Sequence, residues 1–499
     1  MHRTQPRIAI IGAGFGGLAV ALELQRHGLQ DFVVLDRQAD VGGVWCANTY
    51  PGAACDVPSE IYSYSFALKP DWSRRFGTQP EIQQYLAGVV RDHGLRPHLR
   101  LGCEVVRATW VEGEAAWHLE LAGGEVLVVD VVVCATGQLS RPRIPDVPGR
   151  ASFGGAQFHS AAWDHAVDLT GKRVAVVGGG ASAIQVVPAI ADAARHVTVV
   201  QRSPMWVVPK YDWAQGRAER ALMHLPGATR LRHLAMWWKF EANAPLIWRR
   251  ADPVRRVVEA RLRRMIRRQV GPELARRITP GYPFGCNRVL LSSQWYPTLA
   301  RPDVDVVDAG VTAVAPEGLR TADGREVPAD VVVWCTGFTP TEYVAPMQVT
   351  GRDGRDLRDH WAAGPEAYLG ITTPGFPNLF MSYGPNTGSL TNTIIFLLER
   401  QAAYIRQGVQ HLNGPGAWCE VREDVHARFN AQLQQRLQRT VFTAGCPGWY
   451  TTDEGKVTTV WPGSHVAYAR AVRRFELTDF AWSMGRPQAQ RVAELAGRA

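Results

Sequence analysis

Two copies of one local pattern constrain this chain more than any other feature. In the first, residues 7–12 form a short β-branched run that ends in a glycine cluster, residues 18–27 continue with helical periodicity, and residues 32–36 give a second strand. In the second, residues 173–178 lead to a helix over about 183–194 and a strand over 196–201. Strand, glycine turn, helix and strand make the βαβ unit that binds dinucleotides, so two nucleotide sites are predicted. Gly12, Gly14 and Gly17 fit GxGxxG, and Gly178 and Gly180 with Ala183 fit GxGxxA. The first glycine permits the tight turn, the second lets the backbone approach a pyrophosphate, and the third position lets the helix pack closely.

The two units differ where their second strands end. Asp36 closes the first, where a carboxylate can accept hydrogen bonds from ribose hydroxyls. At the same separation from its first glycine the second unit has Arg202, followed by Ser203. A guanidinium can hold a 2'-phosphate that a carboxylate would repel, so FAD is expected in the first unit and NADPH in the second, with Ser182 and Gln185 beside the latter. Two further apolar runs, 126–137 and 329–338, each end in Thr-Gly and can each close one unit. The expected fold is α/β with two Rossmann-like domains. An FAD domain over 1–145 and 330–499 would be interrupted by an NADP domain over 146–329. Within the latter, residues 213–277 form an Arg-heavy helical insert with Trp237, Trp238 and Trp248. It reads as solvated amphipathic helices, with a membrane-surface helix as the alternative.

The net charge of +9, with 50 Arg and only five Lys, suits anionic ligands, nucleic acid or a membrane surface. No nucleic-acid recognition motif accompanies it, so a nucleic-acid partner is not expected. The eight cysteines lack CxxC spacing, which argues against a zinc site or any other metal site and against a dithiol redox centre. They read as reduced, buried residues of a cytoplasmic protein. Residues 8–21 mimic a signal peptide, but four glycines make a poor apolar helix there. No uninterrupted run of 18 apolar residues exists, so no transmembrane segment is expected.

Other motifs are more specific. Phe153, Gly155, His159 and Trp163, followed by Asp164, fit FxGxxxHxxxW. On that string the chain resembles the type I Baeyer-Villiger flavin monooxygenases over nearly its whole length. The resemblance implies that His159 couples domains and is not an acid or base. Residues 42–52, with Trp45, and Asp56 resemble the flavin-edge segment of that family, and Arg288 resembles the arginine that pairs with its carboxylate. Asp56 and Arg288 would then be catalytic, because a fixed cation stabilises a C4a-peroxyflavin anion and the oxyanion formed when it attacks a ketone. Trp449 resembles a tryptophan that touches the nicotinamide nucleotide. Asn287 departs from the pattern, since the family commonly has Lys there as a second 2'-phosphate contact.

The activity implied is FAD- and NADPH-dependent conversion of a ketone and dioxygen to an ester or lactone. A flavin monooxygenase that oxidises sulfides or amines is the nearest alternative, disfavoured by Trp163 and Arg288. A peripheral membrane dehydrogenase that reduces quinone is the alternative from another class.

Overall fold

The structure is a computed structural model and describes residues 5–248, 253–389, 391–444, 446, 450–452 and 454–483. Leaving small antiparallel ribbons aside, the chain begins with β1 (Ile8–Ile11), α1 (Phe15–Arg26), β2 (Phe32–Asp36), β3 (Leu99–Leu101) and β4 (Val131–Cys134). It then crosses to β5 (Ala156–His159), β6 (Arg173–Val177), α2 (Ala183–Ile190) and β7 (His196–Val200). Three helices follow, α3 (Arg217–Met223), α4 (Ala228–Trp248) and α5 (Pro253–Ile278), before β8 (Val304–Val307) and β9 (Val331–Trp334). The return passes through β10 (Leu379–Met381), α6 (Ile394–Gln410) and α7 (His465–Ala471).

Two parallel five-stranded sheets result, ordered β10-β4-β1-β2-β3 and β8-β7-β6-β9-β5. Their central strands are unbroken β-branched runs because both faces are buried: Ile8, Ile10, Val131 and Val133 are fully covered, as are Val176 and Val333. The first sheet builds its core with α1 and α6, and the second with α2 and the far part of α5. The runs at 126–137 and 329–338 supply β4 and β9, each beside the first strand of one unit. Because β9 pairs with β6 and β5, the return crossing lies after Trp334 and not at 330.

Pairing also corrects the sequence alignment of the two units. Ile11 lies opposite Leu35, whereas Val177 lies opposite Val200. The second unit is one residue shorter between its paired strands, so Asp36 is matched in space by Gln201, and Arg202 is matched by Arg37.

Candidate active site

The glycine turns are set by contacts that no side chain would tolerate. Gly12 and Gly178 have φ of +115° and +125°, and a Cβ there would lie 2.4 Å from the Ala135 carbonyl oxygen and 2.2 Å from that of Cys335. Gly17 is equally constrained, because its Cβ would fall 1.8 Å from the Gly12 carbonyl oxygen. Gly14 and Gly180 are different. A Cβ on Gly14 would meet nothing closer than 3.5 Å, and on Gly180 nothing within 4 Å. Protein packing does not demand glycine at these two positions, but a pyrophosphate lying against the turn would. Both turns open helices, α1 after Gly14 and α2 after Ser182, whose first N–H groups have no intrahelical partner. The residues present therefore fit two dinucleotides.

Asp36 is buried, with one carboxylate oxygen accepting from the Ala13 N–H at 2.6 Å and the other from the Gln38 N–H at 2.8 Å. Its first task is to hold the turn. Burial raises its pKa against those two hydrogen bonds. In the second unit Gln201 is buried at the equivalent place, while Arg202 and Ser203 are exposed. Arg202 makes no ion pair among the described residues. Asn287 is buried and bonded to the Tyr282 phenol, so it is not presented as a phosphate contact.

The two units meet at the segment after α1 and β2. Trp45 donates its indole N–H to the Tyr62 hydroxyl at 3.0 Å, and its carbonyl accepts from Gln79. Tyr50 donates to Gln185 at 2.9 Å, and Gln185 donates to the Ala54 carbonyl at 2.8 Å. Both ends of that amide are spent on bridging the units, and Ser182 bonds the same Tyr50 phenol. Ser182 and Gln185, expected beside the nucleotide, thus also clamp the two domains together.

Next along the chain, Asp56 forms an ion pair with Arg288 across 232 residues of sequence. Burial pushes the Asp56 carboxyl up, but the Arg288 guanidinium, its hydrogen bond and the nearby Lys210 ammonium hold it below the usual carboxylate range. Arg288 is raised by the same carboxylate. The pair is thus fully charged at neutral pH. The side chains of Tyr383 and Tyr450 add their influence on Arg288. Tyr383 holds a left-handed backbone at φ of +70°, a strain of the kind that collects at functional sites.

The cysteines need a correction. Cys286, two residues before Arg288, is disulfide-bonded to Cys446, and both are buried in the core of the first unit. The bond fastens the arginine-bearing loop of the second unit to the C-terminal segment of the first. Residues 160 apart leave no spacing signature from which the bond could be foreseen. The other six cysteines are free. Among the described residues, no cluster of three or more His, Cys, Asp or Glu side chains could hold a metal ion.

The 153–163 string frames β5, the edge strand of the second sheet. A Cβ on Gly155 would lie 2.1 Å from the Asp330 carbonyl oxygen, and Trp163 stands edge-on to Phe158 with ring centroids 5.0 Å apart. Phe153 packs on the core behind the sheet. His159 accepts from the Ala161 N–H through Nδ1 and donates from Nε2 to the Gly337 carbonyl. Burial lowers its pKa to about 4, so it is neutral and structural. Trp449 lies outside the described residues.

Lys210 was not singled out by sequence, although it is one of only five lysines. It is half-buried, its ammonium lies 4.9 Å from the Phe76 ring centroid, and its charge acts on Cys55 and Asp56. Burial lowers its pKa against the pull of Asp212, Cys55 and Asp56.

Two open nucleotide turns on parallel sheets, with an arginine-carboxylate pair between them, define a two-domain flavoprotein oxidoreductase. Residues 6–226 match the Pyridine nucleotide-disulphide oxidoreductase family, a stretch that spans both turns and stops short of Arg288. Over 478 residues the chain is 44% identical to a Baeyer-Villiger monooxygenase of Streptomyces coelicolor, covering 95% of this chain and 92% of that one. It is 40% identical to a Baeyer-Villiger monooxygenase of Pseudomonas aeruginosa, covering 95% and 91%. Among solved structures, OTEMO complexed with FAD and NADP superposes with a TM-score of 0.87 at 26% identity, over 96% of this chain and 100% of the other. Cyclohexanone monooxygenase from Rhodococcus sp. Phi1 bound to NADP+ gives 0.85 at 27% identity, over 97% and 100%. The chain belongs to the Baeyer-Villiger monooxygenase family. It is a flavoprotein monooxygenase, and among the described residues no helix is long and apolar enough to cross a membrane.

Proposed function

We propose that Asp56 and Arg288 are the catalytic pair of an FAD- and NADPH-dependent Baeyer-Villiger monooxygenase that converts a ketone and dioxygen to an ester or lactone in the cytoplasm. The observation that carries this reading is the ion pair itself, formed between the two nucleotide units and fastened by the Cys286–Cys446 bond. FAD on the first turn, reduced by NADPH on the second, supplies the activated oxygen. Arg288 supplies a fixed cation for the negative charge that develops on the ketone oxygen when its carbon is attacked. Such a charge is stabilised most by a group already oriented, and Asp56 limits the conformers of the guanidinium before substrate arrives. Lys210 adds a second positive charge to the same locality. Tyr50 and Gln185 hold the domains in register, and His159, neutral and bonded on both nitrogens, takes no part in proton transfer. Gly12, Gly14, Gly17, Asp36 and Trp45 are assigned to FAD, and Gly178, Gly180, Arg202 and Ser203 to NADP. Trp449 is retained as a candidate nicotinamide contact on the family resemblance alone.

The neighbours' names include cyclohexanone and steroid monooxygenases, so cyclic ketones head the substrate panel. Arg288→Ala should give folded, yellow protein that reduces its flavin with NADPH, allowing for some slowing, yet forms no ester or lactone from any ketone the parent accepts. Product formation above roughly a tenth of the parent rate, a loss below about 1.4 kcal/mol, rules out the role given to this residue.

A further inference from the structure

The helical insert has no part in the chemistry above, and α4 shows why it still needs a partner. One of its faces is docked. His233 bonds the Glu60 carbonyl at 2.7 Å, the Trp237 carbonyl accepts from Asn392 at 3.1 Å, and Glu241 lies 3.2 Å from His465. The adjoining face carries Leu231, Leu234 and Trp238, which are 71%, 45% and 57% exposed. These residues fall at i, i+3 and i+7, one stripe of a helix. Leu222 and Leu225, from α3 and the turn after it, are 54% and 56% exposed, and α3 packs against α4. An apolar stripe that adjoins a docked face and is itself uncovered leaves its side chains in water.

Charge indicates the cover. Residues 217–278 carry sixteen Arg and Lys against five Asp and Glu, a surplus of eleven, whereas the whole chain has +9. The rest of the molecule is therefore slightly acidic, and all the net positive charge belongs to this insert. Arg230 is exposed on α4 itself. On α5, Arg261, Arg264 and Arg268 lie on one face and line an open cleft. The acids of α3 and α4 do not neutralise this surface, since Glu219 is paired with Arg232 at 2.7 Å and Glu241 is buried against His465.

We propose that α3, α4 and α5 rest on an anionic lipid surface, with the Leu231–Leu234–Trp238 stripe entering the headgroup boundary and the arginines on lipid phosphates. A half-exposed tryptophan among leucines, bordered by cations, is the composition that suits such an interface. A second copy of the chain fits less well, because a two-fold contact through this stripe would bring the two basic borders together.

The test is flotation of the FAD-loaded enzyme with vesicles of phosphatidylcholine alone, or with about a third phosphatidylglycerol. Binding is expected only to the second, and it should weaken about tenfold or more when salt is raised to roughly 0.5 M. Changing Leu231, Leu234 and Trp238 together to Ser should lower binding by about tenfold or more while leaving FAD content and turnover of a water-soluble ketone unchanged. If that variant does not fold, Arg230→Gln with Arg264→Gln tests the same surface, and it should reduce binding to phosphatidylglycerol vesicles. No binding to the anionic vesicles overturns the proposal, as does binding that survives the variant that folds. A parent dimer that the serine variant dissociates, without vesicle binding, assigns the stripe to a second copy. Retention on duplex DNA without vesicle binding assigns the basic surface to nucleic acid.

Discussion

The first and second βαβ units repeat each other down to single hydrogen bonds. Gly12 and Gly178 each donate an N–H at 2.8 Å to the last carbonyl of the second strand before the strand-end residue, Leu35 in one and Val200 in the other. Each unit also has an aspartate before its closing strand that accepts from the backbone N–H of an arginine at the start of its first strand, Asp130 from Arg7 at 2.6 Å and Asp330 from Arg173 at 2.8 Å. They separate at one place. A buried carboxylate, Asp36, stands where the other unit has the neutral amide of Gln201, and the arginine that follows is tied to the Ser140 carbonyl in the first unit but makes no ion pair among the described residues in the second. On the proposed assignment, the same scaffold offers one ribose site that repels a phosphate and one that does not.

The largest effects should come from filling the open glycine positions. Gly14→Val should give folded but colourless protein, since its Cβ has room and only a cofactor competes for the space. Gly180→Val should stay yellow and lose NADPH-dependent flavin reduction. Absorbance at the flavin band and anaerobic reduction by NADPH read the two results, and an exchange of outcomes would reverse the assignment of the two units.

His159 has no counterpart in the first sheet, and it makes the second more sensitive to acid. Its folded pKa is lowered by burial to about 4 from an ordinary 6.5, so between those values the unfolded chain binds a proton that the folded chain refuses. Its contribution is fully present above about pH 6.5 and is lost as pH falls toward 4. The loss is on the order of 3 kcal/mol at most. Urea unfolding across that range should show His159→Gln with the flatter profile; parallel profiles would mean that another group titrates.

Asp36→Ala should cost about 1–3 kcal/mol, because the buried Ala13 N–H would lose its acceptor. FAD content after dialysis should fall, and the melting temperature with it. Gln201→Ala should have the smaller effect on the second unit, since among the described residues its side chain holds no backbone N–H as Asp36 does. Equal losses would erase the distinction between the strand ends.

What could be read from the sequence follows the range over which each constraint acts. The glycine turns and β-branched strands are local patterns, and Gly12, Asp36, Gly178 and the runs closing each unit were legible because each is marked by the residue types adjacent to it in sequence. The one-residue difference in register was not legible, because equal spacing from glycine to strand end says nothing about how strands pair. Arg288 and Asp56 were reached only through the family resemblance, since nothing local joins positions 232 apart. Lys210 and the Cys286–Cys446 bond carry no local pattern at all. The Arg and Trp content of the insert was legible, but which face of α4 is buried was not, because that depends on where His233, Trp237 and Glu241 dock.

The change of cofactor preference bears most directly on what distinguishes the two units. If the free Arg202 holds the 2'-phosphate, Arg202→Ala should weaken use of NADPH by roughly 1.5–3 kcal/mol, on the order of tenfold or more, and leave NADH nearly unchanged. The exposed position makes the lower end of that range the expected one, because solvent screens the pair. Gln201→Asp should act in the same direction by placing in the second unit the carboxylate that marks the first. Asn287→Lys should add little, since residue 287 is buried against Tyr282 and a lysine there would have to displace that contact before reaching a phosphate. Steady-state kcat/KM for the two nucleotides measures all three variants. Equal losses for NADPH and NADH in Arg202→Ala would make Arg202 a support of the fold, and a large gain from Asn287→Lys would show that the 282–288 loop rearranges when nucleotide binds.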